Sequence, residues 1–236
     1  MWARSLYVRA MRAARVVLRV TGLLGRLERS RRPFLRHLRT LFAIYDAEDL
    51  AALDLPWWSY ASIDAVDRFL AERDGARVFE FGAGASTAWL ARRAASVLSV
   101  EHDAGFLELV ERLVADHDHA SLRLVPPVPS PDGQPPSVTS EREGFEGLDL
   151  EDYVASIDDA GGPFDLIVID GRARVACLRQ ALPHLADGGL IVFDDVHRRR
   201  YAPALHHPGL DAEVLHGRTP ALPVATSTAL LRRRTA

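Results

Sequence analysis

Three stretches carry residues whose types and spacing could do chemistry. In the first, Glu80-Phe81-Gly82-Ala83-Gly84-Ala85-Ser86-Thr87 follows a short apolar run and is itself followed, about 20 residues after Gly82, by Glu101-His102. Glycines without a Cβ let a chain turn tightly and let a ligand lie against the backbone. A helix opening just beyond them offers unpaired N–H groups, which Ser86 or Thr87 can cap. A carboxylate at the distance of Glu101 can accept both hydroxyls of a ribose. The second stretch, Phe164 to Gly171, is an apolar run ending in Asp170. The third, Leu190 to Asp195, follows Gly188-Gly189 and ends in Asp194-Asp195.

Carboxylates need elements to hold them. Val78 to Phe81, Val97 to Val100, Leu122 to Val125, Phe164 to Ile169 and Leu190 to Phe193 read as short buried strands. Helical runs alternate with them: Ala88 to about Ala95, Gly105 to Asp116 and Val175 to Leu185. Near-continuous apolar strands alternating with helices predict a parallel sheet covered on both faces. The tail supplies two more strands, Ala212 to Leu215 and Thr226 to Leu231. A helix from Ile63 to Glu72 leads into the first strand, preceded by Pro56-Trp57-Trp58-Ser59-Tyr60, an aromatic cluster suited to the core or to a pocket wall. Residues 126 to 147 are rich in Pro, Gly and Ser, the composition of a long binding loop or lid on the ligand side of the sheet.

The chain has 236 residues, a net charge of -3 and one cysteine, Cys177. One thiol excludes a disulfide framework and a cysteine metal cluster, and suits a reducing, cytoplasmic setting. Every basic side chain other than histidine is Arg, and Lys and Asn are absent. Residues 1 to 40 hold eleven arginines and a single acid, Glu28. Such a split marks an appended arm, so residues 1–45 form a basic helical extension and 46–236 the main domain. Residues 3 to 27 predict one amphipathic helix. Leu6, Ala10, Ala13, Val17, Val20 and Leu24 lie on one face, and Arg4, Arg12, Arg15, Arg19 and Arg26 on the other. Arginines interrupt every apolar stretch before it reaches the ~20 residues of a membrane span. The helix suits packing on the domain, a subunit contact, or an anionic membrane surface. Without interleaved aromatics it does not suit nucleic acid. Ser30-Arg31-Arg32-Pro33-Phe34-Leu35 has the look of a twin-arginine signal, but no continuous apolar segment follows it.

Residues 77 to 232 resemble the class I S-adenosylmethionine-dependent methyltransferases. The likeness rests on Glu80 to Ser86 as the acid-x-Gly-x-Gly turn, Glu101 after the second strand, Asp170 after the fourth, and Gly188-Gly189 before the fifth. It implies a Rossmann-like, doubly wound, seven-stranded α/β sheet, mostly parallel, with a C-terminal antiparallel hairpin. It implies a cofactor site of Glu80, Gly82, Ala83, Gly84, Ser86, Thr87, Glu101, His102, Asp170 and Gly171. Gly82 and Gly84 would lie along the methionine part and Glu101 on the ribose, with His102 near the adenine. Glu80 would order the turn or reach the cofactor's amino group through water. Pro126-Pro127 stands where many members carry an acid to the adenine. A narrower likeness, to the metal-dependent O-methyltransferases, implies Mg²⁺ on Asp170, Asp194 and Asp195, although Arg172 and Arg174 depart from the macrocin-type pattern. His197 and Asp170 are the catalytic candidates, and the acceptor expected is a small molecule methylated on oxygen.

Two other functions suit the same residues. A nicotinamide-linked oxidoreductase could use the turn and Glu101, but Thr87 stands where its third glycine is needed and the tail implies a different strand order. A non-catalytic nucleoside-binding module, carried to a membrane by the basic helix, is the other.

Overall fold

The computed structural model describes residues 2–131, 134–140 and 142–234, with side chains from residue 6 onward. The elements run α1 (Trp2–Val20), α2 (Leu23–Glu28), α3 (Pro33–Leu41), α4 (Ala47–Ala52), α5 (Tyr60–Ala71), β1 (Arg77–Phe81), α6 (Ala85–Ala91), β2 (Ser96–Glu101), α7 (Ala104–Leu113) and β3 (Ala120–Leu124). They continue through β4 (Val128–Pro129), β5 (Leu148–Asp149), α8 (Glu151–Ala155), β6 (Phe164–Ile169), α9 (Arg174–Ala181), β7 (Leu185–Phe193), α10 (Ala202–Leu205), β8 (Leu210–Arg218) and β9 (Ala225–Arg233).

Seven strands form one sheet in the order β3-β2-β1-β6-β7-β9-β8. The pairs from β3 to β7 are parallel, and β9 runs antiparallel to both β7 and β8. The doubly wound sheet with its terminal antiparallel hairpin is therefore as expected. Its two faces follow from the period of two along each strand. Val78, Leu166, Val168, Leu190 and Val192 turn to one side, against Leu50, Trp58, Val66 and Trp89. Phe79, Phe81, Ile167, Ile169, Ile191 and Phe193 turn to the other, against Tyr153, Ile157, Cys177 and Leu178. Trp58 and Trp89 meet edge to face at 5.8 Å, both buried. Cys177 is a buried core residue.

Three local expectations are corrected. The helix after the glycine turn starts at Ala85, so Ser86 and Thr87 lie inside it rather than before it. Residues 126 to 147 are not structureless at their base, because Val128 and Pro129 pair with Asp149 and Leu148 as a two-stranded ribbon; Asp132, Gly133 and Glu141 of this loop lie outside the described residues. The helix of residues 3 to 27 breaks at Gly22, whose φ of 71° is left-handed, into α1 and α2.

The face of α1 also differs from the expected one. Leu6, Ala10, Ala13, Val17 and Val20 point to solvent and Leu24 alone of that set is buried. The Arg4 side chain lies outside the described residues. What turns the helix is Arg15, which reaches inward to Asp46 and Asp49. Arg39, buried, donates to both oxygens of Asp49 at 2.9 and 2.7 Å and to Glu28 at 3.2 Å. Buried charges need such partners. They fasten residues 1–45 to the start of the main domain, and the Ala221 N–H donating to Thr40 Oγ1 adds a tie to the tail.

Candidate active site

The carboxyl ends of β1, β2, β6 and β7 carry the chemistry-bearing residues, as the switch point of an α/β sheet requires. Gly82 holds φ at +95°, and a Cβ there would stand 2.6 Å from Gly171 Cα and N. A Cβ on Gly171 would in turn meet the Tyr153 hydroxyl at 2.0 Å. The turn after β1 and the end of β6 therefore touch backbone to backbone, which only glycines permit. Gly84 is the N-cap of α6, and its N–H donates to Thr87 Oγ1 at 2.9 Å.

Glu80 lies completely buried beneath this turn and accepts hydrogen bonds from the hydroxyls of Ser86, Thr87 (2.6 Å) and Ser99 (2.6 Å). Burial pushes its carboxyl up to about 7, against the pull of the three hydroxyls; the Asp170 charge adds to the rise. Of its two expected roles, the geometry gives it the ordering of the turn. Thr87 serves Glu80 and the Gly84 N–H. Glu80 and Thr87 stand behind the cleft wall, while Gly82, Ala83, Gly84 and Ser86 form it.

Glu101 ends β2, nearly buried, and its Oε1 accepts the backbone N–H groups of His102 and Asp103 at 2.8 and 2.9 Å. The His102 ring nitrogen also contacts this oxygen. No described residue bonds to Oε2, which leaves it for hydroxyls from the cleft. Asp103 caps α7 by accepting from the Phe106 N–H at 2.8 Å. The cleft itself has a volume of about 1260 Å³ and runs from these residues past Tyr45 and Trp57 to residues 137–140, 142 and 143, to the arginines of α9, and to Arg198 and Arg200 ahead of α10. A pocket for one drug-sized ligand holds roughly 300–1,000 Å³, so a cofactor and an acceptor fit together. Trp57 forms part of the wall and Trp58 part of the core, so the aromatic cluster serves both expected ends.

The three aspartates do converge, but around an arginine. Arg174, buried, donates to Asp170 Oδ1 at 2.7 Å, to the Asp170 carbonyl at 2.8 Å and to the Asp194 carbonyl at 2.8 Å. Its Nε donates to the Gly171 carbonyl at 3.2 Å, and Asp195 Oδ2 stands 3.7 Å away. Asp194 turns to Thr228, whose hydroxyl donates to Oδ1 at 2.6 Å, and Asp195 takes Arg198 at 2.6 Å. A Mg²⁺ ion takes six oxygens, several of them waters, but the carboxylates that hold it must turn their oxygens toward one open centre. Here a guanidinium occupies the middle, and among the described residues no group of three or more His, Cys, Asp or Glu side chains could hold a metal. The Mg²⁺ expectation on Asp170, Asp194 and Asp195 is therefore corrected: these residues do not fit the ion. Burial drives Asp170 and Asp194 above the ordinary carboxylate range; the Asp195 charge adds to both rises and the Asp170 charge to that of Asp194, against the pull of Arg174.

Asp170 and Gly171 line the cleft. His197 does not: it is 45% exposed, with Nδ1 3.8 Å from Asp195 Oδ1, and it stands apart from the lining. The structure thus brings together every expected cofactor residue on or directly under the wall, and leaves the expected histidine base outside. Arg174 was missing from the expected site. Its signal was its place four residues after Asp170, the spacing that joins a strand end to the first turn of the next helix.

A glycine turn into a helix, a buried carboxylate at the next strand end, and the β3-β2-β1-β6-β7-β9-β8 order define a nucleoside-binding α/β transferase. The profile of the family described as methyltransferase domain matches residues 79–196, half of the chain, and the chain belongs to that family. It is a class I S-adenosylmethionine-dependent methyltransferase, and the nicotinamide alternative falls away with the strand order and the family. No curated protein matches the chain. Among solved structures it is similar in fold to the O-methyltransferase TomG of Streptomyces achromogenes, in complex with S-adenosylmethionine, at 16% identity over 80% of this chain and 90% of that one, with a TM-score of 0.56. It is similar to a methyltransferase of Geobacter sulfurreducens at 13% identity over 92% and 97% of the two chains, with a TM-score of 0.52. An rRNA methylase of Streptococcus thermophilus shares 16% identity over 73% and 96%, with a TM-score of 0.50. Identities this low carry the fold and leave the acceptor open.

Proposed function

We propose that the protein methylates an oxygen of a small-molecule acceptor, with the acceptor seated between Asp170 and residues 137–140. The observation that supports this most is the single cleft, wide enough for two ligands, with the glycine turn and Glu101 at one end and Asp170 on its wall. S-Adenosylmethionine, when bound, supplies an electrophilic methyl carbon on its sulfonium. The chain's part is alignment and exclusion of water. Gly82, Ala83 and Gly84 offer bare backbone to the cofactor, Glu101 Oε2 accepts its hydroxyls, and His102 flanks the nucleoside end. Asp170 lines the cleft with a carboxyl raised by burial, a basicity suited to taking the acceptor's hydroxyl proton as the new C–O bond forms and the methyl carbon–sulfur bond breaks, its electron pair staying on the sulfur of S-adenosylhomocysteine. Arg174 holds that carboxylate in place. His197 is not needed in this scheme. Exchange of Asp170 for Asn tests it: methyl transfer should fall by about 10²–10⁴, while S-adenosylhomocysteine binding stays within a few-fold. Equal loss of binding and turnover would refute the base.

A specific observation favours a second element. The exposed row Leu6, Ala10, Ala13, Val17 and Val20 lies beside Arg9, Arg12 and Arg19 on α1, the composition of a helix resting on anionic lipid. No helix among the described residues is long and apolar enough to cross a membrane. Co-sedimentation with phosphatidylserine vesicles, and its loss in V17D/V20D, is the expected outcome; no binding by the unaltered protein would refute it.

A further inference from the structure

The basic extension reaches the cleft. Tyr45 and Trp57 stand in its wall, their rings 5.6 Å apart. Three contacts set this wall beside the cofactor end. Helix α4, which begins just after Tyr45, packs on α6, the helix that the glycine turn opens. Trp58, the neighbour of Trp57, meets Trp89 of α6. Phe106, in the first turn of α7 just past Glu101, lines the cleft with them. The two rings therefore flank the span from the glycine turn to Glu101. Sequence alone points to no site residue in residues 1–45.

The backbone of Tyr45 holds a conformation that its side chain disfavours. Its φ is 51°, in the left-handed region that glycine and asparagine enter most easily. A residue persists there where its surroundings fix it, and such positions gather at ligand sites. What fixes Tyr45 comes from α1 and α4. Arg12 donates to the Tyr45 carbonyl at 3.4 Å. The Asp46 carboxylate caps α4 through one oxygen, accepting the Asp49 N–H at 2.9 Å, and takes Arg15 on the other. Arg15 also pairs with Asp49 at 3.1 Å. A groove of about 670 Å³ between α1 and α7 meets the cleft at Tyr45, Ala47 and Phe106, so Tyr45 stands as the partition between α1 and the cleft. An aromatic ring, 39% exposed, is thus kept on the wall of a ligand cleft at the expense of backbone strain. Such a ring supplies rigid apolar contact to a nucleoside ligand.

We infer that Tyr45 is a cofactor-binding residue, its ring covering bound S-adenosylmethionine from the α1 side, and that Arg15 is a positioning residue acting through it. The inference rests on the methyltransferase function and adds the basic extension to its cofactor site. Arg15 fixes the Asp46 carboxylate, Asp46 fixes the turn into α4, and that turn holds the Tyr45 ring against Trp57. Helix α1 is then a working part of the cleft as well as a surface arm.

The test is calorimetric. S-Adenosylhomocysteine is titrated into the full chain and into Y45N, Y45F, R15M and Y45N/R15M, and the melting temperature of each is recorded. Asparagine relaxes the left-handed backbone and removes the ring. Y45N should therefore bind S-adenosylhomocysteine about fivefold or more weakly, while melting no lower than the unaltered protein. Y45F keeps the ring and should bind within about twofold of the unaltered protein. R15M should weaken binding by about threefold, yet add nothing in Y45N/R15M, where the ring it acts through is gone. Y45N that binds as tightly as before overturns the assignment of Tyr45. Y45N that loses affinity and melting temperature together makes the ring a packing residue and overturns it as well. A further loss of affinity when R15M is added to Y45N overturns the positioning role of Arg15. Failure of the unaltered protein to bind S-adenosylhomocysteine at all would instead strike the methyltransferase function itself.

Discussion

Arg174 and Asp170 meet at 2.7 Å across one turn of chain, and the same guanidinium donates to the Asp194 carbonyl at 2.8 Å. The cation in the middle of the acidic cluster is thus part of the covalent chain. Removing it leaves buried carboxylates without compensation, a change that costs about 3–5 kcal/mol in comparable settings. R174M should lose stability on that scale in urea denaturation. The loss should be larger at pH 8 than at pH 5.5, because Asp170 and Asp194, already raised by burial, can take protons at the lower pH. A loss under 1 kcal/mol at pH 8 would contradict the role of the pair.

A resident arginine also makes a metal unnecessary. Neither Mg²⁺ nor EDTA should alter the melting temperature or the affinity for S-adenosylhomocysteine. A stabilisation by Mg²⁺ that disappears in D194N would restore the ion to this site.

The contact of Gly82 with Gly171 yields a pair of contrasting variants. G82A forces a Cβ onto backbone at 2.6 Å with φ at +95°, and no side-chain change elsewhere can relieve it. G171A meets a side-chain oxygen, the Tyr153 hydroxyl. Thermal melts should therefore show that Y153F rescues part of the G171A loss and none of the G82A loss. Equal rescue of both would mean that the two strand ends do not touch as described.

Glu80 sets a pH dependence. Its carboxyl is raised from 4.5 to about 7 in the folded protein, so the folded state binds the proton more tightly than the unfolded chain. The sign follows by linkage: this contribution to stability is full below the ordinary value and is lost as pH rises through about 7. E80Q should flatten the fall in stability between pH 5 and 8, as followed by urea midpoints. An unchanged slope would place the titration elsewhere.

Much of this site was legible in the sequence because it depends on local rules. The strand that ends at Phe81, the glycines that need a bare backbone, and the carboxylate that closes the next strand are all near neighbours in the chain. The sheet order was legible through the resemblance, since β6 and β7 end in acids and the tail holds two strands. What was not legible depends on competition between distant groups. Arg174 could not be seen to displace a metal until Asp194 and Asp195 came to meet it from β7. Periodicity alone turns the wrong face of α1 inward, because it ranks apolar residues first, whereas Asp46 and Asp49 draw Arg15 inward instead. Likewise His197 follows a strand end in sequence, yet the turn at Asp195, with φ of 61°, leaves it facing solvent.

Cofactor recognition depends most directly on Glu101. Titration calorimetry with S-adenosylhomocysteine and with NAD, on the unaltered protein and on E101A, measures this. The prediction is saturable one-to-one binding of S-adenosylhomocysteine, none of NAD, and at least a tenfold weaker affinity in E101A, in which circular dichroism still shows the folded protein. Binding of NAD without S-adenosylhomocysteine, or an E101A protein that binds S-adenosylhomocysteine as tightly as before, would contradict it.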